Sequence, residues 1–136
     1  MKRLQLAAGL LMTLAFSRIE AQTIDFHATI PFEFRMGQTV MAAGDYTVHH
    51  SNGVLKMWPD QGGKAVFSLA MATELPKDSS TPGLLFHRYG DSYFLAKIWT
   101  PGYANARGVP KSSYEKELAR RGSAPDDDQN IVLQTK

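Results

Sequence analysis

Four histidines and one polar-aromatic run hold most of the chemistry available to this 136-residue sequence. The run is His87-Arg88-Tyr89-Gly90-Asp91-Ser92-Tyr93. An Arg fork, two phenols, a carboxylate and a hydroxyl around one tight turn can grip a sugar, a carboxylate or a peptide. The plainer role of these residues is a hairpin, in which Gly90 and Asp91 form the turn and Tyr89 and Tyr93 pair across the strands. A Ser–His–Asp hydrolase fits poorly. Ser92 lies in no G-x-S-x-G elbow, and one hairpin can hardly set three triad members in the needed geometry. With Trp99 and Tyr103 from the following segment, the expected recognition surface comprises His87, Arg88, Tyr89, Asp91, Tyr93, Trp99 and Tyr103.

The histidines invite a metal reading that their spacing does not support. His49 and His50 are adjacent, and adjacent side chains of a strand point to opposite faces. A site would have to draw one of them together with His27 or His87 from other strands, and no zinc-type ligand spacing is present. Glu115 and Glu117 are two apart and fall on different sides of a helix. Asp126-Asp127-Asp128 with Asn130 lacks the alternation of a calcium loop and reads as a solvated acidic linker. There is no P-loop and no Rossmann glycine pattern. The sequence thus assigns no catalytic residue, no metal ligand set and no cofactor.

The chain has no cysteine, which excludes a disulfide framework, a thiolate metal site and a thiol nucleophile. Its net charge of +2 and pI near 8.9 suggest nucleic acid or an anionic membrane as partner. The first 21 residues undo that suggestion. Lys2 and Arg3 precede a 13-residue apolar stretch, Leu4–Phe16, broken only by Gln5 and Thr13. It is too short to span a bilayer but matches the n- and h-regions of a secretory signal peptide. Ala21 suits the position before the cut, with Gln22 starting the mature chain; cleavage after Ser17 is the alternative. Removing residues 1–21 takes out Lys2, Arg3, Arg18 and Glu20, leaving twelve basic and twelve acidic residues. The expected mature product is exported, periplasmic or extracellular, without a transmembrane segment and without affinity for nucleic acid.

The elements that must position these side chains are mostly strands. Ile24, Phe26, Ala28, Ile30, Phe32 and Phe34 alternate with Asp25, His27, Thr29, Pro31, Glu33 and Arg35. That is a period of two over twelve residues, with Pro31 arguing for an edge strand or a bulge. Asn52-Gly53 predicts a type I′ hairpin between Tyr46–Ser51 and Val54–Trp58. Lys64–Thr73 reads as one further strand. Leu84–Tyr89 and Tyr93–Thr100 form a second hairpin that is apolar on both faces, so its outer face must be covered. Strict alternation puts Leu84, Phe86, Leu95 and Trp99 against Leu85, Phe94, Ala96 and Ile98. Thr100–Lys111 is a 12-residue loop. Ser112 and Glu115 predict a capping box for a helix near 112–121, with Gly122 closing it. Residues 123–130 are the acidic linker, and Ile131–Thr135 is a last short strand. The expectation is one mainly β domain over 22–136: an antiparallel β-sandwich or partly open barrel of about seven strands with one short C-terminal helix.

Three stretches together resemble a known group. They are Ile30-Pro-Phe-Glu-Phe-Arg-Met-Gly with Ala43-Gly-Asp-Tyr-Thr-Val48, Leu85-Phe-His-Arg-Tyr-Gly-Asp-Ser-Tyr-Phe-Leu95 with Ile98-Trp99, and Lys111-Ser112 leading to Glu115-Lys-Glu-Leu-Ala119. The arrangement is similar to short, signal-bearing, β-rich exported proteins of uncharacterised role abundant in acidobacteria. The resemblance implies export and a β-rich domain. It implies no activity and transfers no catalytic residue.

The function expected from the residues is a non-enzymatic exported β domain that binds a protein, small-molecule or saccharide partner in the envelope or outside the cell. A hydrolase or metal-dependent enzyme using His87 or His49 is the alternative. A third reading is a subunit of an envelope assembly, in which a partner covers the doubly apolar hairpin.

Overall fold

The computed structural model describes residues 23–77, 79–121 and 131–134. The expected signal peptide at 1–21, Gly122 and the acidic linker at 123–130 lie outside the described residues. Two sheets face each other across one core and do not close into a barrel. The first sheet has the order β1-β4-β5-β6, from β1 (Ile24–Ile30), β4 (Gly44–Ser51), β5 (Val54–Pro59) and β6 (Val66–Leu69). The second has the order β11-β8-β9-β10-β7, from β11 (Ile131–Gln134), β8 (Gly83–Tyr89), β9 (Ser92–Trp99), β10 (Ala106–Gly108) and β7 (Met71–Thr73). β2 (Phe34–Met36) pairs antiparallel with β3 (Thr39–Met41) and makes a single parallel bridge to β9, Arg35 to Phe94.

Eleven strands among the described residues replace the expected seven or so. The extra ones, β2, β7 and β10, are three residues long and too short to show a period, whereas β3 falls within Thr39–Ala43, which the sequence offers as a short strand before the Gly44-Asp45 break. β10 lies inside the stretch expected to be a 12-residue loop, where it bridges β9 and β7.

Two expected strands are each divided between the sheets. The twelve-residue alternation from Ile24 to Arg35 breaks at Pro31, with β1 in the first sheet and β2 in the second. Alternation persists across the break because both sheets bury the same inward side. Phe32, at the crossover, meets Phe86 edge-on at 5.0 Å and stacks on Tyr93 at 4.0 Å. Pro31, without an N–H for a ladder, suits the point where pairing stops. Lys64–Thr73 behaves likewise: buried Ala70 separates β6 from β7.

The Asn52-Gly53 hairpin forms as expected, with φ of 52° and 78° at its two central residues, as a type I′ turn requires. The β8–β9 hairpin carries a bulge. Leu85 faces Lys97 while Phe86 faces Leu95, so Ala96 is an extra residue. One inserted residue exchanges the faces beyond it. Ile98, not Trp99, therefore joins Leu84, Phe86 and Leu95 in the main core, while Trp99 joins Leu85, Ala96 and Ala106 on the other side. That second face is covered by the chain itself, through Leu75 and the helix. The covering partner invoked for an assembly subunit is not needed there. Trp99 is fully buried, its Nε1–H donates to Thr81 O at 2.9 Å, and its ring lies against Gly83, where a Cβ would come to 2.8 Å of Cε2.

Helix α1 (Ser113–Arg120) is too short to be stable alone. Ser112 caps it, its Oγ accepting from Glu115 N–H at 3.1 Å. The second half of the expected capping box is absent, because the Glu115 carboxylate turns to His87 instead. Tyr114 packs on Phe94 at 5.9 Å and receives the Arg35 guanidinium over its ring at 4.6 Å.

Candidate functional site

The hairpin register decides what becomes of the expected recognition surface. Arg88 faces Tyr93, Tyr89 faces Ser92, and His87 faces Phe94. Arg88 and Tyr93 thus share one side of the sheet while His87 and Tyr89 share the other. The expected Tyr89–Tyr93 pair does not form; Tyr89 meets Phe94 edge-on at 5.6 Å. On the first side, Tyr93 stacks on Phe32, and Arg88 lies 5.5 Å from the Tyr93 ring with its Nε–H donating to Gly90 O. Asp91 is exposed at the turn. Trp99, opposite Gly83, lies seven residues along β9 from Ser92, roughly 23 Å at the strand rise. Tyr103 is elsewhere again, its hydroxyl donating to Thr23 O at 2.7 Å. The seven residues are therefore not brought together: they divide between the two faces of the hairpin, its turn, the far end of β9 and the segment that holds Tyr103. The cleft at the turn, between Asp91, Ser92, Tyr93 and Glu33, Phe34, Arg35, measures about 70 Å³, room for about two waters at ~30 Å³ each.

On the helix side, His87 Nδ1 lies 3.1 Å from Glu115 Oε1, with the carboxylate side chain 4% exposed. Tyr89 is buried beside them, and its hydroxyl has no hydrogen-bond partner among the described residues. Burial, and secondarily the Glu115 charge, push its pKa above the ordinary phenol value. Glu117 points elsewhere, to Arg121 at 3.3 Å and Arg120 at 3.7 Å.

The other histidines separate as adjacency requires. His50 is buried, with Nε2 3.3 Å from Ala70 O. Desolvation pulls its pKa below the ordinary imidazole value. His49 is on the outer face of the first sheet, Nδ1 2.5 Å from Asp25 Oδ1. Among the described residues, no three His, Asp or Glu side chains gather as a metal site.

That outer face holds the densest accessible polar network. The β1–β4–β5 register aligns Asp25 with His49 and Lys56, and His27 with Thr47 and Trp58. Thr47 Oγ1 donates to Asp60 Oδ1 at 2.5 Å and lies 3.1 Å from His27 Nδ1. A hydroxyl that has given its proton to Asp60 can only accept from the imidazole, which fixes the His27 proton on Nδ1. Asp60 Oδ2, 3.4 Å from the same nitrogen, agrees with that assignment. Nε2 of neutral His27 is then an acceptor, and the side chain is 76% exposed. Thr29 Oγ1 donates to Asp45 Oδ1. Lys56 Nζ sits 4.9 Å from the Trp58 ring centre. Beside this row, a cleft of about 400 Å³ opens between Ala42–Tyr46 and Pro59, Gln61 and Gly62, within the ~300–1,000 Å³ usual for small-molecule sites. Asp60 N–H to Asp45 O at 3.0 Å ties its two walls together.

Sequence reasoning assigned Asp25, His27 and Thr29 to a wet strand face but did not join them to Thr47, Trp58 and Asp60. The signal was present as two alternating strands; only the antiparallel register superimposes them. Compared with known proteins, the chain matches no family model, no curated protein and no solved structure.

Proposed function

We propose that the protein is an exported, non-enzymatic binding module acting in the envelope or outside the cell, and that its ligand is a saccharide. Export rests on Lys2, Arg3 and the Leu4–Phe16 stretch, and on the resemblance to exported acidobacterial proteins. The single observation that carries the ligand is the cross-strand row His27, Thr47 and Trp58 on the outer face of the first sheet, with Asp60 bonded to Thr47, next to a 400 Å³ cleft whose lining includes Asp45 and Pro59. A sugar offers an apolar C–H face and a rim of hydroxyls. An indole takes the first, while carboxylates and the His27 Nε2 lone pair accept from the second. The turn at Gly90 contributes less, since its cleft holds little more than water.

A glycan array followed by calorimetry on protein recovered from the exported fraction tests both halves. The expected N-terminus is Gln22, and the expected ligand is a neutral oligosaccharide. Trp58→Ala should weaken binding at least tenfold, about 1.4 kcal/mol, with the melting temperature nearly unchanged. No glycan bound, or full affinity in Trp58→Ala, would discard the saccharide reading.

The enzyme alternative draws on one observation: His87 and His49 each have a carboxylate partner, Glu115 and Asp25, as an oriented general base does. Neither has a hydroxyl hydrogen-bonded to it among the described residues, so neither dyad is set up with a serine- or threonine-type nucleophile. Hydrolytic activity lost in His87→Ala or His49→Ala would revive this reading.

A further inference from the structure

The outer edge of the first sheet ends on β6, and nothing among the described residues pairs with its free side. Its sequence, Val66-Phe67-Ser68-Leu69, carries no charge and no proline, the usual guards of an open edge. The opposite edge strand, β1, is guarded by Asp25, His27 and Thr29 and stopped by Pro31. On β6 the exposed side chains are large and apolar: Phe67 at 62% and Leu69 at 67%, continued by Met71 at 72% and flanked by Val54 at 39%. A run of such side chains along an unpaired edge marks a contact surface.

The main chain says what kind of contact. Ala70 N–H donates to Gly53 O, so in β6 the even residues turn their N–H and C=O groups toward β5. Phe67 and Leu69 therefore turn theirs outward. An antiparallel neighbour must present two outward residues at the same spacing, and β6 itself does. With a two-fold axis through Ser68, Phe67 of one copy faces Leu69 of the other twice over, forming four main-chain hydrogen bonds. Each such pair sets an aromatic ring beside an aliphatic side chain on the exposed face. The paired residues Val66–Leu69 carry no charge, and Lys64 lies beyond them, so no like charges meet within the ladder.

We infer that two copies of this chain associate through antiparallel β6–β6 pairing about Ser68, making one continuous eight-stranded sheet from two four-stranded ones. A two-fold contact uses the same patch on both partners and closes at the dimer. The pairing is short, so the dimer belongs to the weak end of specific interfaces and exchanges with monomer. The inference is independent of the saccharide reading and uses different residues.

Sedimentation velocity on the purified protein, from low micromolar to millimolar concentration, is the first test. The expected result is a reversible monomer–dimer equilibrium that stops at two copies. Over the same range the Phe67 and Leu69 amides should gain protection from hydrogen exchange, while Ser68 and Ala70, already turned to β5, stay unchanged. Leu69→Lys places charges within the symmetric contact and should raise the dissociation constant at least tenfold. Leu69 is 67% exposed, so the fold should survive, as near-ultraviolet circular dichroism would confirm. A strict monomer, growth beyond the dimer, a dimer indifferent to Leu69→Lys, or a dimer with unprotected Phe67 and Leu69 amides would each overturn the inference.

Discussion

Replacing Tyr93 by Ala separates a residue that holds the fold from one that meets a partner. Tyr93 stacks on Phe32 with centroids 4.0 Å apart and planes 18° from parallel, and it packs half-buried against the main core. Truncating a fully buried aromatic residue costs about 3–5 kcal/mol. Half burial brings that to about 2 kcal/mol, and the near-parallel stack belongs to the lower part of the ~0.5–1.5 kcal/mol range for aromatic pairs. For a domain of this size, about 4 °C of melting temperature accompanies each kcal/mol. Tyr93→Ala should therefore melt about 8 °C lower in calorimetry or circular dichroism. Tyr93→Phe keeps the ring and should stay within ~0.5 kcal/mol of the wild type. Arg88→Ala loses one exposed ring contact and the Nε–H bond to Gly90 O, and should cost about 0.5–1 kcal/mol. A Tyr93→Ala protein melting within 2 °C of wild type, about 0.5 kcal/mol, would show that the ring contributes little to the core. The turn would then regain its standing as a recognition surface.

Gly83→Ala should be more damaging than its size suggests. The new Cβ meets the buried Trp99 ring and comes to 3.0 Å of Leu133 O, neither of which can swing aside. A loss of about 1–3 kcal/mol is expected by chemical denaturation, and an unchanged midpoint would contradict the packing described. His50 supplies a pH test. Its folded pKa lies below the ordinary 6.5 because burial disfavours the imidazolium. Below pH 6.5 the unfolded chain takes up a proton that the folded one refuses. The contribution is thus fully present above the unfolded pKa, falls away as pH drops, and levels off below the folded pKa. Between about pH 7.5 and 5.5 this single group should therefore lower the stability of the fold as the pH falls. The difference between wild type and His50→Met, measured by urea unfolding, isolates it; a difference independent of pH would refute the assignment.

Local chemistry carried a good part of the fold into the sequence. The Asn52-Gly53 turn, the Ser112 cap and the alternation of β1 depend on neighbours within a few residues, so they can be read one segment at a time. The missing candidate site has a different origin. His27, Thr47, Trp58 and Asp60 come from three segments, and only cross-strand register makes neighbours of them.

By itself the sequence determined the mainly β character, the absence of thiol chemistry and the balanced charge of residues 22–136, because composition and two-residue periodicity are properties of the chain. Tertiary structure decided where each strand changes sheet and which way its side chains face. The break at Pro31 leaves the apolar alternation of residues 24–35 uninterrupted, and the break at Ala70 falls within a near-continuous apolar run, so no periodicity reveals either. The bulge at Ala96 exchanges Ile98 and Trp99 between faces through a single unpaired residue, and only the partner strand shows that it is there. The change of sheet at Ala70 leaves β6 on an open edge with Phe67 and Leu69 exposed. In the one-dimensional pattern these two read as part of an ordinary strand, because whether a strand is flanked depends on the pairing of the whole sheet.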